Sequence, residues 1–485
     1  MVNVTSYQRF ISANNITFLL VKTNMNPLIS AMNKAQTKTK TLNGAKAKTT
    51  TGSACLDLFA SVGAMRGQDI MPSFLKAYYE NEDHALRIAL WSRDIRGGAG
   101  ERTHFRNIIN NLAITHYQQA RKLAKRIPDL GRWDDLLYFF DTPVWIDALN
   151  IIEQGLKDGH GLCAKWMPRK GIIAESIRKH LNLTPKQYRK TLVGLTKVVE
   201  QQMCANKWKE INYEHVPSKA SQIYSKAFKR HDPTGYSLFK NKLITGEAKV
   251  NAGAVYPHEV MVFLGKDKTV ANAQWNALPD FVPDNLSFLP IIDCSGSMGT
   301  FGWGTANQPI NVAIGLGLYL SERNKSVFKN SFITFSDKPK MQTVDGSLSD
   351  RAHQMAAAEW GMSTDLQKVF EVLLTTAKKH NVKQEDMPNY LLIVSDMQFN
   401  TCVKSNNNIK EIKRKYKEYG YTTPTLVFWN VNHHGNFQVN QDQENIILVS
   451  GFSPSIMKSI LTGNTEDFTP YNQMIKTIMD DRYVY

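Results

Sequence analysis

Cysteine is scarce in this chain and scattered: Cys55, Cys163, Cys204, Cys294 and Cys402, with no close pair. That spacing supplies neither a zinc knuckle nor a disulfide framework, and it fits a reducing, cytoplasmic setting. No uncharged apolar run approaches the roughly 18 residues of a membrane span. Twelve histidines include no His-x-Glu or His-Glu-x-x-His spacing, and no glycine-rich stretch ends in the Gly-Lys-Ser/Thr of a phosphate loop. A dense carboxylate cluster of the two-metal nuclease kind is also missing. With these absences the expectation is a protein that is not an enzyme. No internal repeat has a fixed period. Finally, the first 50 residues hold seven Lys/Arg and no acid. That composition reads as a flexible basic arm over 1–50, with a targeting leader or a true start at Met25 as alternatives.

What is present is length, ordinary core material and unevenly placed charge. The chain has 485 residues, of which 42% are hydrophobic and 21% charged, enough for two to four domains. Its net charge is +16, but residues 1–280 carry 40 Lys/Arg against 23 Asp/Glu, whereas 281–485 carry 19 against 20. Within the first part, 151–250 alone holds 19 basic and 8 acidic residues. A localised excess of that size attracts polyanions, nucleic acid above all, or simply keeps a surface soluble.

From Ser53 to Lys249 the pattern is helical. Phe105, Ile108, Ile109 and Leu112 fall at i, i+3, i+4 and i+7, one buried face of a helix expected over Thr103 to Arg126. Thr184-Pro-Lys-Gln187 reads as a helix start with a capping box. The helix it opens should pack Tyr188, Leu192, Leu195 and Val199 and expose a basic stripe of Lys186, Lys190 and Lys197, with Arg189 beside them. Several such helices suggest an α-solenoid or irregular array over 51–280. Between Ala252 and Asp284, Gly253, Pro257, Pro279 and Pro283 interrupt short apolar runs such as Val260–Leu264. Beyond about 280, strand-like and helix-like runs alternate, the pattern of a doubly wound, mostly parallel sheet over 281–485. The fold class expected is therefore α followed by α/β.

The chemistry concentrates at Phe288-Leu-Pro-Ile-Ile-Asp-Cys-Ser-Gly-Ser-Met298. An apolar strand stops at Asp293, and a polar loop then presents Ser295 and Ser297, at a strand's carboxyl end, where open α/β sheets place their ligands. Thr364 follows 71 residues later, before a helical pattern, and Asp396 ends a second apolar strand 32 residues after that. Hydroxyls and a few carboxylates are hard oxygen donors, suited to Mg²⁺ or another divalent cation that keeps some of its waters. Cys294 reads as a small core residue.

In order and spacing, Asp293, Ser295, Ser297, Thr364 and Asp396 resemble the metal-ion-dependent adhesion site of von Willebrand A domains. That resemblance implies Ser295, Ser297 and Thr364 on the ion, with Asp293 and Asp396 acting mainly through water. It also implies one coordination position for a partner's acidic group or a phosphate. Six further segments are Trp91–Arg102, Gly131–Leu137, Ala164–Pro168, Ile177–His180, Trp208–Ala220 and Val394–Gln398. Together they resemble an uncharacterised family of viruses, bacteria and plants in which a basic helical region precedes a von Willebrand A-like domain. More distantly, the architecture is similar to the Ro autoantigen (TROVE) proteins. There a ring of helical repeats, closed by such a domain, binds structured or misfolded RNA. The resemblance thus implies an RNA partner.

The candidate RNA contacts are Arg93, Arg96, Arg102 and Arg106, then Lys165, Arg169, Lys170, Arg178 and Lys179, then Lys186, Arg189, Lys190 and Lys197. The first group could grip phosphate with guanidinium and backbone groups of a glycine-rich loop, or be an interhelical turn whose arginines pair with Asp94 and Glu101. Trp133, Asp134 and Asp135 read as structural. Trp166 and Trp208 read as packing residues first and base-stacking residues second. Rival functions are a protein-interaction adaptor and a viral structural or assembly protein, neither with an RNA role.

Overall fold

The computed structural model describes residues 37–196, 198–284, 286–302, 307–335, 338–358, 364–400, 408–457 and 469–485. The chain opens on a short antiparallel hairpin, β1 (Lys38–Lys40) and β2 (Lys46–Lys48). Helices follow: α1 (Ala54–Phe59), α2 (Met71–Glu80), α3 (Glu82–Arg93), α4 (Thr103–Thr115), α5 (Tyr117–Leu130), α6 (Trp145–Lys157) and α7 (Gly161–Trp166). The helical region continues through α8 (Gly171–His180), α9 (Pro185–Leu195), α10 (Val199–Cys204), α11 (Ser218–His231), α12 (Pro233–Thr245), α13 (Pro257–Leu264) and α14 (Lys268–Asn276). The rest alternates: β3 (Phe288–Ile292), α15 (Pro309–Arg323), β4 (Ser331–Thr334), β5 (Met341–Thr343), α16 (Leu348–Ala356) and α17 (Leu366–Lys379). It ends with β6 (Tyr390–Ser395), α18 (Asn408–Tyr419), β7 (Thr425–Asn430), β8 (Ile446–Ser450) and α19 (Pro470–Ile478).

Local chemistry explains several boundaries. At the start of α9 the Thr184 hydroxyl accepts the Gln187 N–H, and the Gln187 side chain returns to the Thr184 N–H at 2.9 Å, with Pro185 in the first turn. The expected long helix from Thr103 breaks at His116 into α4 and α5, both with buried faces. Likewise α9 ends at Leu195, and Val199 begins α10, so the basic stripe does not run on as one helix; Lys197 lies outside the described residues. Val260–Leu264, an apolar run with no β-branched majority, is part of α13.

The six-stranded sheet has the order β5-β4-β3-β6-β7-β8, parallel except for β5 at one edge. Both faces are covered. Leu289, Ile291, Leu391, Ile393, Leu426 and Phe428 point to one side, against Val369 and Phe370 of α17 and Ile412 and Tyr416 of α18. Phe288, Ile292, Leu392, Val394, Val427 and Trp429 point to the other, joining α15. That second face is continuous with the apolar core of the helical region, so the helices and the sheet share one interior. The C-terminal helix α19 packs on α1, α3 and β8. At the chain end Arg482 pairs with Asp94 of the helical region. The change of texture near residue 280 is therefore not a break in packing. Residues 38–48, expected within a flexible arm, form the hairpin, and its β2 side bridges Phe437 beyond β7. Among the described residues, no helix is long and apolar enough to cross a membrane.

Candidate metal centre and basic helical face

β3 and β6 are neighbouring parallel strands with Ile292 opposite Val394, so their carboxyl ends deliver Asp293 and Asp396 to the same edge. The Asp293 N–H continues the ladder to Val394 O at 3.0 Å. Both Asp293 carboxylate oxygens are used within the protein: Oδ1 accepts the Ser295 N–H at 2.9 Å, and Oδ2 accepts the Ser395 hydroxyl at 2.5 Å. The first bond folds the loop so that the Ser295 and Ser297 hydroxyls lie 3.1 Å apart. Asp396 is held by the Gln398 N–H on Oδ1 at 3.1 Å. Its Oδ2 is buried without a hydrogen bond, though His434 Nε2 lies 3.3 Å away.

Two carboxylates thus sit buried side by side. Burial first, and the charge of Asp396 second, push the Asp293 carboxyl up to about 6. A cation is the species that would relieve both. The donors fit one: hard oxygens, two hydroxyls converging, and an orphaned carboxylate oxygen. Among the described residues no group of three or more His, Cys, Asp or Glu side chains could hold a metal ion, so a cation here would have to draw on the hydroxyl oxygens as well.

Thr364 precedes α17 and is buried at the same edge. Its hydroxyl lies 2.9 Å from Gln398 O and 3.0 Å from Asn400 Oδ1, and accepts the Asn43 side-chain amide at 3.1 Å. Asn43 also donates to Gln398 O at 2.6 Å, while the Leu42 N–H reaches Gln398 Oε1 at 2.8 Å and the Thr41 hydroxyl reaches Phe399 O at 2.6 Å. The β1–β2 turn therefore seats on the loop that carries Asp396. Sequence reasoning missed Asn43, Ser395, Gln398 and His434. Ser395, next to a strand-terminal aspartate, was the one with a readable signal. Cys294 is half-buried against the core, with burial and the Asp293 charge pushing its thiol well up.

The arginine loop resolves differently from both sequence readings. Gly98, Ala99, Gly100 and Glu101 spend their N–H groups on Asp94, Trp91 and Ser92 carbonyls, so these four are not available to a phosphate. A side chain at Gly98 would collide with Trp91 O at 1.8 Å, which is why the turn needs glycine there. Arg93 is buried and paired with Asp135 Oδ2 at 2.7 Å; Arg106 pairs with Asp135 Oδ1 at 2.6 Å and with Asp134 at 2.8 Å. These two are corrected to structural residues, because their guanidinium donors are committed inside the fold. Asp94 and Glu101, the partners expected from sequence, instead take Arg482 and Arg66. Arg96 and Arg102 remain exposed.

Further along, Lys165 lies 3.9 Å from Glu200, Arg178 donates to Leu183 O at 2.8 Å, and Lys179 pairs with Glu175 at 2.8 Å. Arg169, Lys170, Lys186, Arg189 and Lys190 are exposed, and none forms an ion pair among the described residues. α9 packs on α7, which brings Lys165 and the α9 lysines into one neighbourhood. Trp133 is buried, Trp166 carries Arg132 over its ring at 3.8 Å, and Trp208 stacks on His231 at 4.3 Å.

Residues 169–285 match a family described as a domain of unknown function (DUF2828), and residues 287–482 match a second domain of unknown function (DUF7788). The chain is similar to the uncharacterized protein L728 of Acanthamoeba polyphaga mimivirus. The two are 29% identical over 513 residues, covering 90% of this chain and 86% of that protein.

Proposed function

We propose that this is an RNA-binding protein whose sheet-containing part is a von Willebrand A-like docking domain with a divalent-cation site. The observation that carries the cation reading is the buried Asp293–Asp396 pair, with an orphaned Asp396 oxygen beside two converging serine hydroxyls. Ser295, Ser297 and Thr364 would hold the ion, and Asp293 and Asp396 would balance its charge, largely through water. Bound there, the ion would supply an electrophilic position for a partner's carboxylate or phosphate. The protein's own part is positional. Ser395 and the Ser295 N–H fix Asp293, Gln398 fixes Asp396, and Asn43 orients Thr364.

The RNA reading is supported by the exposed Arg169, Lys170, Lys186, Arg189 and Lys190 on the basic half of the chain, none of which forms an ion pair among the described residues. Such groups neutralise backbone phosphates and release counterions. A nearly neutral sheet domain beside a basic helical face suggests a division of labour, with RNA on one and an acidic partner on the other.

Titration calorimetry with Mg²⁺ tests the cation site. The unsubstituted protein should bind at millimolar concentration or below, and the Asp293→Ala, Ser295→Ala double variant should lose both the heat and the Mg²⁺-dependent rise in melting temperature. An unsubstituted protein that takes up no Mg²⁺ would remove the docking mechanism. Nucleic acid that copurifies with the full chain and disappears on ribonuclease treatment is the matching expectation for RNA.

A further inference from the structure

An open cavity of about 510 Å³ lies between the helical region and the sheet-containing part. One wall is Asn276, Leu278 and Asp280, at the end of α14 and just beyond it. The other is Glu322 and Arg323 at the end of α15, Lys329 and Asn330 before β4, and Arg351 on α16. β4 runs parallel to β3, so Asn330 stands at the amino end of the strands, the opposite end of the sheet from Asp293 and Asp396. Small-molecule sites have volumes of roughly 300–1,000 Å³. Leu278 is the one apolar residue among the described lining, which leaves little purchase for an apolar or aromatic ligand body.

The two arginines are positioned around one indole. Trp275 Nε1–H donates to Glu322 Oε2 at 2.7 Å, and the same carboxylate oxygen takes Arg351 Nη1 at 2.9 Å. The Trp275 carbonyl takes Arg323 Nη2 at 2.9 Å, and the Arg323 guanidinium lies over the Tyr319 ring at 4.3 Å. These contacts leave donors over: Arg323 Nη1 and Arg351 Nε are buried without a hydrogen-bond partner, as is the acceptor Asn330 Oδ1. A buried donor left unpaired is costly, most of all on a charged group. Both carboxylates of the lining are engaged, Glu322 as above and Asp280 with Lys325 at 3.3 Å and the Val282 N–H at 3.0 Å. Arg323 and the exposed Lys329 form no ion pair among the described residues. Three cations thus line the cavity against two carboxylates, one of which is already shared with Lys325.

We propose that this cavity binds a compact, multiply charged oxyanion, its oxygens taken by the Arg323 and Arg351 guanidinium groups and the Lys329 ammonium. Phosphoryl and polycarboxylate groups present the same oxygens. The site is separate from the cation and RNA readings: it lies at the far end of the sheet from Asp293, and none of its lining residues belongs to the basic helical face. Because its walls come from both parts of the chain, an occupant also fastens one part to the other.

The test uses the full chain in buffer stripped of divalent cations by a chelating resin. Calorimetric titration with inorganic pyrophosphate, and separately with citrate, should show saturable binding of at least one, with a matching rise in melting temperature. Lys329→Gln, at an exposed position, should melt like the unsubstituted protein and bind the anion about tenfold more weakly. Arg323→Gln should weaken binding at least as much, and Arg323→Lys should recover part of it. A Lys186→Gln, Lys190→Gln control should bind as the unsubstituted protein does. Binding that needs Lys329 and favours pyrophosphate would assign the site to a phosphoryl ligand; the same dependence with citrate favoured would assign it to a polycarboxylate. If neither anion binds saturably, or if binding is unchanged in both Lys329→Gln and Arg323→Gln, the proposal is overturned.

Discussion

Asn43 is the residue that ties two otherwise separate facts together. It belongs to a lysine-rich turn at the start of the described chain, yet its amide holds both the Thr364 hydroxyl and Gln398 O. A group that orients a metal ligand from behind typically changes metal affinity by about 10–100-fold when removed. Asn43→Ala should therefore weaken Mg²⁺ binding by about tenfold in calorimetry. It should also lower stability by about 1–3 kcal/mol through the buried partners it strands. Unaltered Mg²⁺ affinity would mean that the hairpin merely rests on the site. The buried Arg93–Asp135 pair illustrates the opposite case, a charge that looked available in sequence and is spent on architecture. Removing Asp135 strands Arg93, at about 3–5 kcal/mol, whereas removing Arg93 leaves Asp135 with Arg106 and the Arg132 N–H.

At the scale of elements, α9 carries the sharpest expectation. Tyr188 and Leu192 are buried while Lys186, Arg189 and Lys190 face outward, so the helix can be recharged without touching its packing. Lys186→Glu with Lys190→Glu should leave helicity by circular dichroism unchanged, since Lys and Glu have similar propensities. RNA affinity should fall strongly. Neutralising the two instead should flatten the plot of log affinity against log salt by about 1.4, at roughly 0.7 per phosphate on a single strand. Full affinity with an unchanged slope would move the RNA surface elsewhere. This helix was legible because its start is local chemistry: Thr184, Pro185 and Gln187 are adjacent in sequence and specify one turn. So were β3 and β6, whose apolar runs end on aspartates. The hairpin was not legible, because two three-residue strands rich in lysine carry no period and gain their meaning from Asn400 and Phe437, several hundred residues away. The pairing of Arg93 and Arg106 with Asp135 was hidden for the same reason, since sequence offers Asp94 and Glu101 first.

At the scale of the molecule, one place where the helical region and the sheet-containing part meet closely is where α13 crosses α15. A side chain at Gly315 would come within 2.7 Å of the His258 backbone, so the two helices touch almost main chain to main chain. His258 is buried in this seam, stacked on Tyr256 and edge-on to Phe452. Burial drives its imidazole down to about 4, with Arg66 and Lys219 acting in the same direction and Glu259 against them. In the unfolded chain a histidine titrates near 6.5. Between those values the unfolded state binds a proton that the native state refuses, so stability contributed by neutral His258 is complete above about pH 6.5 and lost as pH falls towards 4. The full loss is on the order of 3 kcal/mol. Asp293 titrates in the opposite sense, because its raised carboxyl value favours the native state as acid protonates it below about 6. The measurement that isolates the seam is therefore a difference: unfolding free energy by denaturant titration for the unsubstituted protein minus that of His258→Phe, followed from pH 7.5 to 4.5. That difference should shrink steadily below pH 6.5, whereas Asp293 contributes equally to both proteins and cancels. A difference that stays flat with pH would mean that water reaches His258 and that the two parts of the chain are docked less tightly than their shared core implies.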